Sequence, residues 1–454
     1  MFTSDIFFSL SSILAILTSV IVLSTLVFLV LIRRELFDPR VYVLYGMFHW
    51  VIISQLGTVL GLDKILGFEF FAIEFSEATH IKACLSILVA VISFLLGYSI
   101  APFRLTFKPA CSIVSQCRVD FNKLIRLTLI LAIIGVSAQY IAIKRMLDIS
   151  PFLLAPVAYL VIPASVLSIY LLAVYTRGLK SIKRWVSMVV LGGVVFFTIS
   201  VTNFAVIFPL FSLLYWYFNR GAPVQRAPFK VILLLCIMYP IAMFMNVFVK
   251  IFQRPDGIGA SLSLERLIAP ETFTEVIFRV ATLDVFNPED YSVILFAIET
   301  YADQWNLLLG KSLLVFLPIL KFIWPEVRGL GRILVLDYYG PSYENVNVGW
   351  AVPPVGELIA NFWYLSVPFA YLLLGIICRY MYKLFLQCKS QAYLAFYGVC
   401  LPGLFLQQRG DFLNANVYSI YIVIVILIVF RLSSRRAKTL CANVSETLPP
   451  NNLE

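Results

Sequence analysis

The sequence predicts an all-α membrane protein that crosses the bilayer about eleven times. Hydrophobic residues make up 61% of the 454 residues and charged residues only 13%, whereas soluble domains are roughly half apolar and a quarter charged. Apolar runs of about 20 residues, the length that crosses the hydrocarbon core, follow one another along the chain. Helices are expected because lipid offers no other partner to backbone groups.

The eleven expected spans follow in order. They lie at residues 8–32, 41–61, 81–102, 124–143, 152–176, 185–201, 204–218, 229–249, 363–382, 392–406 and 417–430. The first lacks a basic leader and a small-residue cleavage motif, which indicates a retained anchor and not a signal peptide. The two short spans around Thr202 and Asn203 could instead form one kinked element.

Lysines and arginines concentrate in alternate loops, after the first, third, fifth, seventh, ninth and last spans. Short basic loops stay in the cytoplasm, so the N-terminus is predicted outside and the C-terminus inside. The net charge of +10 is then mostly a topology signal, and no nucleic-acid partner is expected. The domain prediction is spans 1–8 in residues 1–249, a large outside segment in 250–362, spans 9–11 in 363–434 and an inside tail in 435–454.

The outside segment is the one long polar stretch in a chain that otherwise forms one continuous membrane domain. Residues 262–284 and 291–309 place apolar side chains at helical spacing, which is typical of amphipathic helices lying on the bilayer surface. Residues 312–324, broken by Pro318, could dip into the membrane. None of the eight cysteines falls in this segment, so neither a disulfide framework nor a zinc site is expected.

Arginines and carboxylates of the outside regions are the candidates for chemistry. An arginine fork binds phosphate oxygens in two places, and each could alternatively be an interfacial arginine with a structural role. Glu357 and Asp411 lie beside apolar helices, where burial favours a general base; Asp411 could equally be the ion-pair partner of Arg409. The candidate arginines are Arg254, Arg279, Arg328, Arg332 and Arg409.

Aromatic residues of the same segment offer flat faces to sugar rings, or alternatively form an interfacial belt. These are Tyr291, Trp305, Trp324, Tyr338, Tyr339 and Trp350. Of the two histidines, His49 is expected to pack within the second span, and His80 is a weak candidate base.

Four segments resemble, in order, the Wzy-type O-antigen polymerases, also called oligosaccharide repeat unit polymerases. They are FNPEDYSVILFAIETY, GKSLLVFLPILKFIWPEVRG, VGELIANFWYLSVPFAYLLLG and QQRGDF. The resemblance covers residues 253–454, and the N-terminal half matches only in hydropathy. One departure is that Ile319, Leu320 and Lys321 stand where the family often has Pro-Arg, with Lys321 as the basic residue there. The motif residues are Ile323, Trp324, Pro325 and Arg328, then Gly356, Glu357, Asn361 and Phe362, then Arg409 and Asp411.

The resemblance implies a glycosyltransferase of GT-C-like helical architecture in the bacterial inner membrane. It would transfer the growing glycan from undecaprenyl diphosphate onto an incoming lipid-linked repeat unit at the periplasmic face, without a cofactor. A chain-length regulator and a flippase are implied as partners beside the lipid-linked oligosaccharide and the bilayer. No paired-aspartate metal motif is evident in the outside segment, which favours a metal-independent reaction.

The motif residues and the other candidates of the outside regions are assigned to the demands of this reaction. Arg409, with Arg254, Arg279 and Arg328, would bind the diphosphate, and Glu357 or Asp411 would act as base. Trp324, Asn361 and Tyr338 are the expected glycan contacts. The alternatives are an O-antigen ligase, disfavoured because no histidine lies between Lys250 and Asn361, and a flippase or other transporter, disfavoured because no repeat-related halves are found.

Overall fold

The computed structural model describes residues 9–61, 74–100, 118–144, 157, 159–175, 190–193, 288–316, 328–345, 350–387, 391–410 and 412–435. Within them the protein is almost entirely helical. Where the sequence indicated one continuous domain, the chain divides into two compact units. The first comprises Met1–Phe103, Gln225–Lys383 and Leu401–Ser419, and the second Arg104–Val224, Leu384–Cys400 and Ile420–Glu454.

The α-helices are numbered along the chain. They are α1 (Leu10–Val27), α2 (Pro39–Gly46), α3 (Ile53–Val59), α4 (Glu77–Ile100), α5 (Phe121–Lys144), α6 (Val161–Tyr175), α7 (Pro288–Ala297), α8 (Leu330–Tyr339), α9 (Pro354–Phe362), α10 (Ser366–Gln387), α11 (Gln391–Leu406) and α12 (Phe412–Ser433). π-Helical turns extend α1 through Phe28–Ile32, join α2 to α3 through Met47–Ile52 and extend α7 through Ile298–Ala302. Short 3-10 helices lie at Lys311–Phe316 and Pro341–Asn345.

In the part of the chain that the structure describes, four helical segments are long and apolar enough to cross a membrane: Leu10–Ile32, Glu77–Ile100, Phe121–Ala138 and Ser366–Gln387. Shorter apolar helices cover Val161–Leu172, Phe396–Leu406 and Tyr421–Ser433. The spans expected at 204–218 and 229–249, and most of 185–201, lie outside the described residues. The total of eleven therefore stays a prediction.

Helix α1 shows how the sequence suits lipid. Ser9 caps its first turn by accepting from the Ser12 amide, which satisfies one of the orphan donors of the helix start. Within the helix the hydroxyls of Thr18 and Ser19 donate to carbonyls one turn earlier, so neither polar group needs water. Apolar side chains such as Val20 remain exposed on another face, as expected where lipid is the solvent.

Helices α4 and α10 approach each other closely through glycines. A Cβ atom on Gly97 would overlap the carbonyl of Leu372, and one on Gly375 would overlap that of Phe94. Small residues are typical of membrane helix interfaces, because attraction there depends on close packing. The crossing anchors α10, and therefore the segment that leads into it, within unit 1.

A buried charge cluster joins the start of α2 to α4. Asp38 is fully buried and accepts from the Arg40 guanidinium at 2.7 Å and from the Tyr98 hydroxyl at 2.9 Å. The guanidinium also lies over the Tyr98 ring, 4.3 Å from its centroid. A buried carboxylate needs such partners to offset its desolvation, so this cluster has a structural explanation.

The helix expected on the bilayer surface at 291–309 is placed differently. Residues 290–298 of α7 and its π-turn are all buried, and the helical segment ends at Ala302. Helix α7 packs against α3 on one side and α9 on another. The prediction was wrong because helical periodicity does not reveal how many neighbours will cover a helix. The companion prediction at 262–284 falls outside the described residues.

Unit 2 is described through α5, α6 and parts of α11 and α12. Helices α5 and α6 pack closely, since a Cβ atom on Gly135 would lie 2.6 Å from the Val161 nitrogen. Two short strands, β1 (Arg118–Val119) and β2 (Ser434–Arg435), pair antiparallel. Tyr170 meets Phe430 edge-on at 5.3 Å. None of the candidate site residues that the structure describes belongs to this unit.

Candidate functional site

Glu357 lies in the first turn of α9 and is 1% exposed. Pro353 and Pro354 set the start of this helix, because proline is preorganised for a first turn and the first amide needs no partner there. Gly356 permits close packing on α7: a Cβ atom at that position would already lie 3.3 Å from the Ile294 side chain. Glu357 is therefore held at the interface of two buried helices, near the positive end of the α9 dipole.

Asn361, one turn further along α9, is fully buried and its amide bonds within the protein. Its nitrogen donates to the Ser312 hydroxyl and to the Glu357 carbonyl, both at 2.8 Å, and its oxygen accepts from the Gly310 amide at 3.1 Å. Backbone bonds from Leu308 and Leu309 reach the same helix end. This geometry suits positioning α9 against the 303–312 loop. Contact between Asn361 and a glycan remains a prediction.

Arg409 lies in the turn after α11, where its guanidinium carbon is 4.6 Å from the centroid of the Trp50 ring. A cation over an indole face contributes about 0.5 to 2 kcal/mol, more when desolvated. The two preceding glutamines are buried, and the Tyr371 hydroxyl donates to Gln408 at 3.1 Å. The turn is therefore a packed structure that fixes where the arginine lies.

The π-turn Met47–Ile52 supplies the other wall of this arginine site. A Cβ atom on Gly46 would lie 2.6 Å from the Phe405 carbonyl, so α2 and α11 approach with little between them. The His49 ring meets the Trp50 ring edge-on at 4.2 Å and is stacked with the Phe405 ring at 6.1 Å. The burial and ring contacts of His49 confirm that it packs among the helices, and the span at 41–61 stays a prediction. Helix α7 packs against both this π-turn, which carries Trp50, and α9, which carries Glu357.

A second aromatic group, which we call the tyrosine surface, consists of Tyr338, Tyr339, Tyr343 and Trp350. Tyr339 and Tyr343 are stacked at 4.5 Å and remain partly exposed, while Trp350 beneath them is buried. Partial burial, and then the neighbouring Tyr338 and Tyr343, raise the pKa of the Tyr339 phenol. This phenol stays protonated near neutral pH and can donate a hydrogen bond.

Two charged side chains, those of Asp337 and Arg332, lie beside the tyrosine surface. Asp337 is exposed and accepts a short hydrogen bond from the Tyr301 hydroxyl, whose pKa burial and this carboxylate raise. The Arg332 guanidinium donates to the Tyr343 carbonyl at 2.7 Å. Flat rings beside hydrogen-bonding groups are suited to binding a sugar. The expected contact Tyr338 belongs to this surface, half-buried against Phe296 and Trp350.

A third aromatic group, the tryptophan pair, consists of Trp305 and Trp363. Their rings stack at 5.2 Å, and Trp305 is 70% exposed. Both residues adopt left-handed backbone conformations, with φ of 54° and 67°. Such a conformation costs about 1 kcal/mol or more for a bulky residue.

Not every predicted site residue can be placed. Arg254, Arg279, Trp324 and Asp411 lie outside the described residues. Arg328 is partly buried just before α8. His80 is near the Tyr291 hydroxyl at 3.3 Å, inside the helix packing. Among the described residues, no group of three or more histidines, cysteines or acidic residues could hold a metal.

Sequence reasoning missed Trp50, Tyr343 and Trp363 as partners of the site groups. The adjacent His49 and Trp50 in an apolar span were a usable signal for the first, since polar aromatic residues in a span often contact another helix. Comparisons with protein-family models, with curated proteins and with solved structures found no significant match to this chain.

Proposed function

We propose that the protein is a polymerase of lipid-linked oligosaccharide repeat units, acting at the outer face of the bacterial inner membrane. The observation that supports it most is that one helical unit holds both a buried carboxylate, Glu357, and a packed cation, Arg409. Charged groups are costly beside hydrocarbon and usually have a task there. Group transfer from a lipid diphosphate requires both a base and a cation.

The reaction proposed is a displacement at the anomeric carbon of the growing glycan. A hydroxyl oxygen of the incoming repeat unit forms the new glycosidic bond, and the bond from that carbon to the diphosphate oxygen breaks. Glu357 or Asp411 takes the hydroxyl proton. Arg409 stabilises the charge that develops on the departing lipid diphosphate, with Arg254, Arg279 and Arg328 as further candidates.

The packing around Arg409 suits this role. Its ring contact with Trp50 and the buried glutamines before it fix the guanidinium before substrate arrives, and preorganised charge needs no rearrangement during reaction. Removal of one such group typically costs about a hundredfold or more in rate. Asn361 would act as a positioning residue for α9, and the tyrosine surface would contact the glycan.

The test is the lipopolysaccharide banding pattern of a host strain that lacks the gene and carries variants expressed at equal membrane levels. We expect Arg409→Ala and Glu357→Gln to leave a single-repeat band, while wild type restores the ladder. Arg409→Lys keeps the positive charge but loses the planar guanidinium fork, so it should restore at most short glycan chains. Lys311→Ala, which removes an exposed cation of the same unit, is the matched control and should give a full ladder.

The same gel separates the alternatives. Loss of all O-antigen from the core, including the single repeat, would indicate ligation or flipping in place of polymerisation. An unaltered ladder in the deletion strain would contradict the proposal outright. A full ladder from Arg409→Ala and Glu357→Gln would remove both residues from the site.

A further inference from the structure

The 303–312 loop is held in place on both sides of the tryptophan pair. Asp303 bonds to Lys82 of α4 at 2.7 Å and accepts from the Tyr364 hydroxyl at 3.2 Å. Further along, the Leu308 and Leu309 amides donate to the carbonyls of residues 360 and 361. The exposed ring of Trp305 is therefore presented by an ordered backbone, in a conformation that glycine would adopt more easily.

Several exposed side chains near the pair in the sequence are apolar. Leu309 is 74% exposed, Leu365 62% and Phe369 72%. Leu373 and Ile377 continue the exposed row at intervals of four residues along α10, which places them on one face of that helix. Helix α10 is long and apolar enough to cross a membrane, so this face is suited to lipid.

We infer that the tryptophan pair and Leu309 insert into the headgroup layer of the bilayer, at the outer end of α10. Tryptophan prefers this depth because its ring is apolar and its N–H is polar. Gln304 and Asn306, exposed on either side of Trp305, are polar and suited to the headgroup layer, while the exposed row that leads into α10 is apolar.

Insertion has a structural consequence for α9. The backbone bonds from Leu308 and Leu309, together with the Asn361 amide, connect the inserted loop to the helix that carries Glu357. The loop therefore fixes the depth of α9 relative to the membrane surface. This inference does not depend on the proposed activity, because it concerns only the contact with lipid.

The test is fluorescence quenching of full-length protein in phosphatidylcholine vesicles whose acyl chains are brominated either near the carbonyl or near the terminal methyl. The emission of Trp305 is obtained by subtracting the spectrum of Trp305→Phe from that of wild type. We expect this emission to be quenched at least about twofold more by the shallow label than by the deep one, as for a headgroup-level indole. Trp350→Phe, which removes a buried ring, is the control and should show no such depth dependence.

A second reporter covers the case in which Trp305→Phe alters the loop. Leu309→Trp in the Trp305→Phe background moves the indole four residues along and should show the same shallow quenching. Strong quenching by aqueous acrylamide with none by either lipid would overturn the inference. Quenching by added lipid-free oligosaccharide, without lipid quenching, would also overturn it and assign the pair to glycan binding.

Discussion

The tryptophan pair and the tyrosine surface are two exposed aromatic groups of one helical unit, and their neighbours differ. Beside Trp305 and Trp363 an exposed apolar row continues onto α10, and the exposed polar residues Gln304 and Asn306 flank Trp305. Around Tyr339 and Tyr343 the neighbours are an exposed aspartate and an arginine that holds the backbone. The same ring chemistry can therefore serve a lipid surface in one place and a polar ligand in the other.

The difference also extends to how each group is supported. The tyrosine surface rests on Trp350 and on α8, whose glycine Gly331 lies directly against the Trp350 carbonyl. The tryptophan pair rests on the 303–312 loop and the end of α9, and φ is positive at Trp305 and Leu309 in the loop and at Trp363 after the helix. Backbone strain that the surrounding structure maintains often marks a functional site. The exposed fraction of the rings alone would not have distinguished the tryptophan pair from the tyrosine surface.

The largest expected effect comes from breaking the support of the tyrosine surface. In Gly331→Ala the added Cβ would overlap the Trp350 carbonyl, and overpacking of this kind costs about 1 to 3 kcal/mol. We expect a clearly lower melting temperature in detergent, measured by the loss of monodisperse protein on size exclusion after heating. Gly193→Ala, also helical but with open space around its Cβ, is the matched control and should melt at or slightly above wild type. Equal melting of the two variants would contradict the packing described for α8.

A smaller effect is expected when the rings are removed one at a time. Tyr339→Ala should weaken the binding of lipid-free repeat-unit oligosaccharide roughly fivefold, the equivalent of about 1 kcal/mol of ring contact. Tyr339→Phe, which keeps the ring and loses the hydroxyl, should lie between that variant and wild type. Trp305→Ala should leave this affinity unchanged. Titration calorimetry measures all three, and the reverse order would exchange the roles assigned to the two aromatic groups.

Hydropathy was sufficient to predict that the protein is helical, and it placed several helix ends within a few residues of their positions in the structure. The first span was expected at 8–32 and lies at Leu10–Ile32, and the ninth was expected at 363–382 and lies at Ser366–Gln387. The sequence was less informative about which helices are buried in the protein. The apolar spacing of α7 was consistent with a surface helix, and only the positions of α3 and α9 show that it is covered on several sides.

For the candidate site, the residue types could be predicted but not their partners. Glu357 and Arg409 could be identified because charges beside apolar runs are costly. The ring beneath Arg409 belongs to Trp50, in a distant part of the sequence, and no local pattern connects the two. The positive φ at Trp363, where α9 ends, could not be expected either, because no glycine or proline stands next to this residue in the sequence.

The smallest expected effect concerns the ion pair that holds the loop of the tryptophan pair. Lys82 and Asp303 are partly exposed, and exposed pairs contribute about 0.2 to 1 kcal/mol. A double-mutant cycle with Lys82→Met and Asp303→Asn should give a coupling energy in that range in detergent, measured by thermal melting.

Salt should reduce this coupling in detergent because water screens exposed charges. In vesicles we expect the coupling to persist at high salt, since insertion of Trp305 and Leu309 places the ion pair beside the headgroup layer, where fewer mobile ions reach it. Equal salt dependence in both settings would indicate that the loop remains in water, and that the exposed aliphatic residues around the pair are covered by something other than lipid.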